Sequence, residues 1–309
     1  MSKSLDVIAL GSCYVDMNLE DYPFATTGIP TETELIGGHY ETVAGGSAIN
    51  FCRLLQGLGL HTAFIGMAGL DTNGDILELL LQKSDVRSEL IRQSDLLTNI
   101  SFNMTNPQGK HIMLAAGTAN AALDPLKVFP KLEEIVSETT MLYLGGCFKL
   151  KKFTDSFDQL ISLSKKNDSN IVVDHGRIPK GINQEMLKAV KELVLYSTYY
   201  FASRDEFFQL WEVTSIEDGL RSLHKKASNL IVIVKDGKNG AYYYDNEEIY
   251  HVDAVTIEKV NNVTGAGDSF NAGVMTALVK GFILDKAVKY GCTVAAAKIS
   301  DKPLPLISH

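Results

Sequence analysis

The sequence predicts an α/β fold: one doubly wound, mostly parallel sheet flanked by helices, with a small β-rich lid. Three observations lead there. Strand-like apolar runs alternate with helix-periodic segments along most of the 309 residues, the pattern of parallel strands joined by crossover helices. Two stretches, 17–43 and 100–115, break that alternation with short β-prone pieces and turn residues. No internal repeat, low-complexity tract or Pro/Gly/Ser linker divides the chain, so residues 1–309 read as a single domain with both stretches inserted in it.

The elements follow in order. The first strand is 6–10, and the alternation continues through helix 48–58, strand 62–66, helix 75–83, strand 141–144, helix 153–166, strand 171–174 and helix 185–195. Strand 199–202, helices 204–211 and 217–226, strand 230–235 and two closing helices near 266–280 and 285–300 complete it. In the first lid stretch Pro23, Gly28, Pro30, Gly37 and Gly38 punctuate β-prone pieces. The second reads as a hairpin turning at Asn106-Pro107-Gln108-Gly109. Unpaired edges and apolar faces of such a lid predict a homodimer through it, with Leu35, Ile36 and Tyr40 between subunits.

Hydrophobic residues at 45% and charged residues at 21% exclude a disordered or collagen-like chain. A net charge of −8 without any basic run excludes nucleic acid and anionic membrane surfaces as expected partners. Cys13, Cys52, Cys147 and Cys292 stand too far apart for a zinc site or a redox dithiol and read as reduced, buried thiols. The amino terminus lacks the pattern of a leader, and no stretch approaches the roughly 18 apolar residues of a membrane span, so a cytoplasmic protein is expected.

The most informative stretch is Asn261-Asn262-Val263-Thr264-Gly265-Ala266-Gly267-Asp268-Ser269-Phe270. Phe270, Val274, Ala277, Leu278 and Gly281 then recur at helical spacing, which sets the small residues Gly265, Ala266 and Gly267 on a helix's first turn. Helix starts expose unpaired N–H groups and the positive end of the dipole, and side chains this small let an anion approach: a phosphate cradle. Asp268 would repel that anion unless it has a task, such as accepting a proton from an attacking hydroxyl. The residues alone leave open a plainer reading, in which Thr264 caps the helix and Asp268 favours its first turn.

This string resembles the signature of the ribokinase-like (PfkB) carbohydrate kinases, Asp-x-Thr-Gly-Ala-Gly-Asp. The family's amino-terminal signature is matched by Gly37-Gly38 and by Gly45-Gly46-Ser47-Ala48-Ile49-Asn50, followed by a helix and the strand Ala63-Phe64-Ile65-Gly66. The resemblance implies a kinase with Asp268 as the base on the acceptor's primary hydroxyl and the backbone at Gly265, Ala266 and Gly267 stabilising the transferred phosphoryl group. It implies that Asp16, just past the first strand, binds acceptor hydroxyls together with Asn50 and the backbone at Gly45 and Gly46, with Tyr14 beside them. As residues, Asp16 also reads as a loop or cap residue and Asn50 as a buried amide capping the preceding turn.

On the donor side Lys235-Asp236-Gly237-Lys238-Asn239-Gly240 is similar to the family's Thr-x-Gly-x-x-Gly turn along ATP, which implies nucleotide contacts at Lys235, Gly237, Gly240 and Thr264. An ordinary hairpin turn between 230–234 and 241–244 fits the same residues. Ser203-Arg204-Asp205-Glu206 stands where many relatives have Asn-x-x-Glu, implying Ser203 near the nucleotide and Glu206 near magnesium; a plain helix start also accounts for Glu206. Mg2+ usually keeps several waters, so no full protein cage is expected.

Departures from the family pattern shape the acceptor expectation. Asn262 replaces an acidic residue in the region that helps hold a monovalent cation, which predicts weak or absent potassium activation. Ser47 stands where ribokinases have Lys, Gly146 where they have Glu and Tyr14 where they have Asn. The pocket is therefore expected to be enlarged at Gly145 and Gly146 and poor for ribose, with room for a larger sugar, a sugar acid, or a base stacked on Tyr14 or Phe148. The expectation is an ATP- and Mg2+-dependent kinase acting on a primary hydroxyl of a sugar. Its alternatives are a nucleoside kinase of adenosine or pseudouridine type and a non-catalytic ligand-binding relative, which Ser203 and Asn262 keep open. A dinucleotide-dependent oxidoreductase is disfavoured, since Gly11-Ser12-Cys13-Tyr14 offers one glycine where that motif needs three.

Overall fold

The computed structural model describes residues 4–22, 39–106, 111–245, 247–259 and 264–307. Val7–Gly11 (β1) is buried at every position, and its side chains divide between two cores, Ile8 and Leu10 into one, Val7 and Ala9 into the other. Strands apolar along their whole length are what a sheet covered on both faces requires. That is why the sequence reads as continuous apolar runs here.

The lid strands are Tyr14–Glu20 (β2), His39–Gly45 (β3), Ile100–Thr105 (β6) and His111–Ala116 (β7). The main sheet adds Thr62–Gly69 (β4), Arg87–Gln93 (β5), Met141–Gly145 (β8), Asn170–Asp174 (β9), Tyr199–Ser203 (β10), Ile231–Lys235 (β11), Ala241–Asp245 (β12) and Glu248–Val252 (β13). The helices are Ser47–Gly57 (α1), Thr72–Gln82 (α2), Pro125–Ile135 (α3), Phe157–Lys166 (α4), Gln184–Tyr196 (α5), Arg204–Trp211 (α6), Ile216–Lys226 (α7), Ala266–Val279 (α8) and Leu284–Ile299 (α9).

Strand order in the main sheet is β13-β12-β11-β10-β9-β8-β1-β4-β5, parallel except at β12 and β13. The chain leaves β1 to build β4 and β5 on one side, then returns to place β8 on the other. Open α/β sheets bind ligands in the crevice at such a switch point, beyond the carboxyl ends of the strands. Here Gly11 of β1 pairs with Gly145 of β8, and a Cβ on Gly11 would stand 2.5 Å from the Gly145 oxygen and 2.7 Å from the Ala48 Cβ. The start of α1 is thereby seated directly on the two strand ends.

Three elements escaped the sequence reading. Strand β5 is RSELIRQ, a mixed edge strand without an apolar run. Helix α3 carries Pro125 in its first turn and Pro130 inside it, which masks the stripe Val128, Phe129, Leu132 and Ile135 that it buries. Strand β13 pairs antiparallel with β12 at the opposite edge. The expected helix 153–166 is a 3-10 turn at Thr154–Ser156 followed by α4.

The lid is a separate four-stranded sheet in the order β3-β2-β6-β7. It starts at Tyr14 and reaches Gly45, wider than the expected limits of 17 and 43, because Tyr14 pairs with Gly45 at its root. The pairing of Thr105 with His111 closes the expected hairpin. Its turn residues Pro107, Gln108 and Gly109 lie outside the described residues, as do Pro23, Gly28, Pro30, Leu35, Ile36, Gly37, Gly38 and Asn262. Register puts Met17, Leu19, Tyr40, Phe102, Met104 and Leu114 on one face and Asp16, Asn18, Glu41, Ser101 and Asn103 on the other. Among the described residues no helix is long and apolar enough to cross a membrane, and all four cysteines are buried and free.

Candidate active site

Helix α8 opens at Gly265, which holds φ of +77° as its N-cap, and no side chain caps it. A left-handed start of this kind suits glycine, and it turns the chain so that the first amides of α8 face outward without a side-chain acceptor. Two cavities flank this turn. One, of about 580 Å3, is lined by Ala266, Gly267 and Phe270 and by Lys235, Gly237, Gly240, Ala254, Val255, Ile257, Cys292, Ala295, Ala296 and Ile299. The other, of about 670 Å3, is lined by Thr264 and Gly265, by Asp16, Asn18 and Glu41 of the lid's polar face, and by Asn50, Arg53, Lys298 and Lys302.

Asp268, on the first turn of α8, is partly buried, and Asn50 Nδ2 of α1 donates to its Oδ2 at 3.2 Å. Burial, then the carboxylate of Asp174, pushes its proton affinity up to about 6, against the opposing pull of Lys235, Asn50 and Lys149. A carboxylate so tuned is ionised at neutral pH yet basic enough to take a proton. Asp16 on β2 accepts from Ser101 Oγ at 2.6 Å, and burial raises its proton affinity as well, opposed by Ser101, Lys149 and Arg53. A Cβ on Gly45 would stand 1.7 Å from Asp16 Oδ2, so the lid root closes over this carboxylate only because glycine is there. Gly46 has φ of +102° and starts α1 against the Ser12 oxygen.

Behind the cradle lies a buried charged cluster. Lys235 Nζ donates to Asp174 Oδ2 at 2.9 Å and to Asn271 Oδ1 at 3.1 Å, and Asn271 Nδ2 donates to the same Asp174 oxygen at 2.6 Å. Burial disfavours the ammonium, but the carboxylates of Asp174, Glu206 and Asp268 together outweigh it and keep Lys235 charged. The Lys235 ammonium would stand 3.4 Å from a Cβ on Gly267, directly beneath the small residues of the cradle. Asp174 and Asn271 were not among the residues singled out from sequence. The legible signals were the position of Asp174 at a parallel strand's carboxyl end and the three-residue spacing of Asn271 from Asp268 on one helix face.

The sequence-expected donor residues divide. Lys235, Gly237 and Gly240 meet at the apolar cavity, while Thr264 lines the polar one. Ser203 and Glu206 are engaged with each other: Ser203 N–H and Oγ donate to Glu206 Oε2 at 2.9 and 2.7 Å, and Glu206 N–H donates back to Ser203 Oγ, a capping box that starts α6. Among the described residues no group of three or more His, Cys, Asp or Glu side chains could hold a metal ion.

Two expectations about the acceptor wall change. Tyr14 is 6% exposed and Lys149 Nζ stands 5.1 Å over its ring, while Phe148 is 5% exposed and packs edge-on against His175. Neither presents an open ring face for a stacked base. The space expected above Gly146 is crossed by the Lys149 side chain, whose Cδ would stand 3.7 Å from a Cβ on Gly146.

The chain matches the family described as pfkB family carbohydrate kinase over residues 4–303. It belongs to that family. This pfkB kinase is 25% identical to the 5-dehydro-2-deoxygluconokinase of Bacillus subtilis (strain 168), covering 96% of this chain and 91% of the relative. It is 24% identical to the ATP-dependent 6-phosphofructokinase of Thermoanaerobacterium thermosaccharolyticum, over 96% and 88% of the two chains. Its fold is that of Arabidopsis thaliana ribokinase complexed with ribose and ATP, with a TM-score of 0.77, 20% identity and coverage of 99% and 96%. The nucleoside kinase of Methanocaldococcus jannaschii shares the fold at a TM-score of 0.75 and 19% identity, over 99% and 96%. As a carbohydrate kinase the chain is an enzyme, and the non-catalytic alternative falls away.

Proposed function

We propose that this pfkB kinase transfers the terminal phosphoryl group of ATP to a primary hydroxyl of a sugar or sugar derivative, with Asp268 as the base. The observation that carries the reading is the position of Asp268 on the first turn of α8, with one cavity on each side of that turn. A nucleotide base fits the apolar cavity, which puts its phosphates at Gly237, Gly240 and the amides of Gly265, Ala266 and Gly267. The acceptor fits the polar cavity, where Asp16 and Asn50 take its hydroxyls at the root of the lid. Asp268 then accepts the hydroxyl proton while the cradle amides and the Lys235 ammonium beneath them meet the charge on the moving phosphoryl group. Magnesium, when bound with the nucleotide, would neutralise phosphate charge, with Glu206 holding it through water.

A sugar is favoured over a nucleoside because Tyr14 and Phe148 offer a base no open ring, and relatives named 5-dehydro-2-deoxygluconokinase and 6-phosphofructokinase support the same side. The lid is also assigned to a homodimer: its face away from the cavity carries Tyr40, Phe102 and Leu114 at 70%, 37% and 51% exposure, and a second copy of that face would bury them. The deciding experiment is a coupled ADP-release screen over pentoses, hexoses, sugar acids and nucleosides. Turnover with a sugar, abolished in Asp268→Asn, is expected; turnover with a nucleoside only would replace the acceptor assignment. Light scattering that finds a monomer at micromolar and higher concentration would remove the dimer.

A further inference from the structure

Lys149 binds neither substrate in the phosphotransfer reading. It closes the 3-10 turn Cys147–Lys149 after β8, at the carboxyl end of a central parallel strand and beside the switch point. Its stem runs over Gly146, where a Cβ would stand 3.7 Å from Lys149 Cδ, 3.8 Å from Ser47 Oγ and 3.1 Å from Ser12 Oγ. Its ammonium lies over the Tyr14 ring at the root of the lid. Among the described residues it has neither a hydrogen-bond acceptor nor a carboxylate within ion-pair distance, although Asp268, Asp16 and Glu206 act on it electrostatically. Ser12 Oγ beside it is fully buried and also without a partner among the described residues.

A half-buried ammonium with three unmet donors is a costly arrangement unless a ligand supplies the acceptor. Lys149 is not on the wall of either cavity, and its surroundings decide which side it serves. Its neighbours Tyr14, Asp16 and Ser47 belong to the lid root and the start of α1, the acceptor side. The carboxylates there, Asp16 and Asp268, would repel an acidic acceptor, and the cations Arg53, Lys298 and Lys302 on that cavity's wall are exposed to solvent. Lys149 is the half-buried cation placed to offset them.

We infer that Lys149 determines acceptor specificity by binding an acidic group, a carboxylate on the sugar. This rests on the phosphotransfer reading above. It also reverses the sequence expectation that the pocket lost its cation at Ser47, because the charge is supplied from a different element.

The test compares kcat/KM of the wild-type protein for D-gluconate and 2-keto-3-deoxygluconate with that for D-glucose and D-fructose, then repeats it in Lys149→Met and Lys149→Arg. The wild type is expected to favour the acids, and Lys149→Met to lower the acid-to-neutral ratio of kcat/KM by roughly 10- to 100-fold, the worth of a charged hydrogen bond. Lys149→Arg should recover part of that ratio. A wild-type preference for neutral sugars, an equal loss on both classes, or a loss carried by the KM of ATP would each overturn the inference while leaving the phosphotransfer reading standing. If nothing is phosphorylated, the phosphotransfer reading has failed. Calorimetry of gluconate on the wild type and on Lys149→Met then decides separately, with unchanged or absent binding counting against Lys149. Circular dichroism checks that the variants fold, and Lys149→Gln replaces Lys149→Met if that protein does not.

Discussion

On one side of the first turn of α8 the cavity wall is mostly apolar, with Val255, Ile257, Phe270, Ala296 and Ile299 beside Lys235 and Lys238; on the other Asp16, Asn18, Glu41, Asn50, Arg53 and Lys298 stand among a few apolar residues such as Val43 and Leu54. The apolar wall comes mostly from α8, α9 and the segment after β13, and it selects by shape and contact area. The polar wall comes from the lid, α1 and α9, and it selects by which hydroxyls and charges find partners. Discrimination by an apolar pocket is worth about 1–3 kcal/mol per methylene, whereas a site built for hydrogen bonds penalises an unpaired group far more. Substitutions on the two sides should therefore differ in size and in the substrate they affect.

The largest effect belongs to the residue between them. Asp268→Asn should lower kcat by about 10²- to 10⁴-fold, the usual range for a general base, while calorimetry finds both substrates still bound. Residual turnover within tenfold of wild type would remove the base assignment. On the polar side, Asp16→Ala should reduce kcat/KM for the acceptor by roughly 10- to 100-fold through lost charged hydrogen bonds. The KM of ATP should move little, and a matching rise in it would erase the division between the cavities.

Behind the cradle, Lys235→Met leaves Asp174 buried beside Asn271 without its counter-charge and should cost on the order of 3–5 kcal/mol in urea unfolding. Adding Asp174→Asn should return part of that loss, since an unpaired buried charge is the expensive state. A double variant no more stable than the single one would show that the pair is not what holds the cluster. On the apolar side, Ala296→Leu should raise the KM of ATP by roughly tenfold through overpacking and leave acceptor binding intact.

The smallest effects concern protons. With Asp268 pushed up to about 6, kcat/KM should fall about tenfold per pH unit below that value, because only the ionised carboxylate accepts the proton. The stability sign is the opposite. An acid whose folded affinity for protons is raised contributes stability below the ordinary carboxylate range near 4, and loses it as pH rises through about 6. Asp268→Asn should accordingly raise stability at neutral pH by about 1–3 kcal/mol and have no such effect near pH 3. A thermal melt that shows no gain at pH 7.5 would mean that the carboxylate is better solvated than its burial indicates.

The sequence by itself determined the parallel α/β architecture, because strands buried on both faces must be apolar throughout, as β1 and β8 are. It also marked the helix start near Gly265, since the apolar helical period begins after these small residues and glycine permits the left-handed turn that opens the helix. It could not show α3 behind two prolines, nor β5 on its charged edge, where neighbouring elements and not local pattern fix the backbone. Only the tertiary structure decided the company each site residue keeps. Asp174, Lys235 and Asn271 are separated by 61 and 36 positions along the chain and meet from β9, β11 and α8, with β10 lying between the two strands. Lys149 reaches the space over Gly146 and beside Ser47 from a turn about a hundred residues after Ser47. A charge missing at one position can be restored from another part of the chain, because electrostatics acts through space and the order of residues constrains it only through the fold.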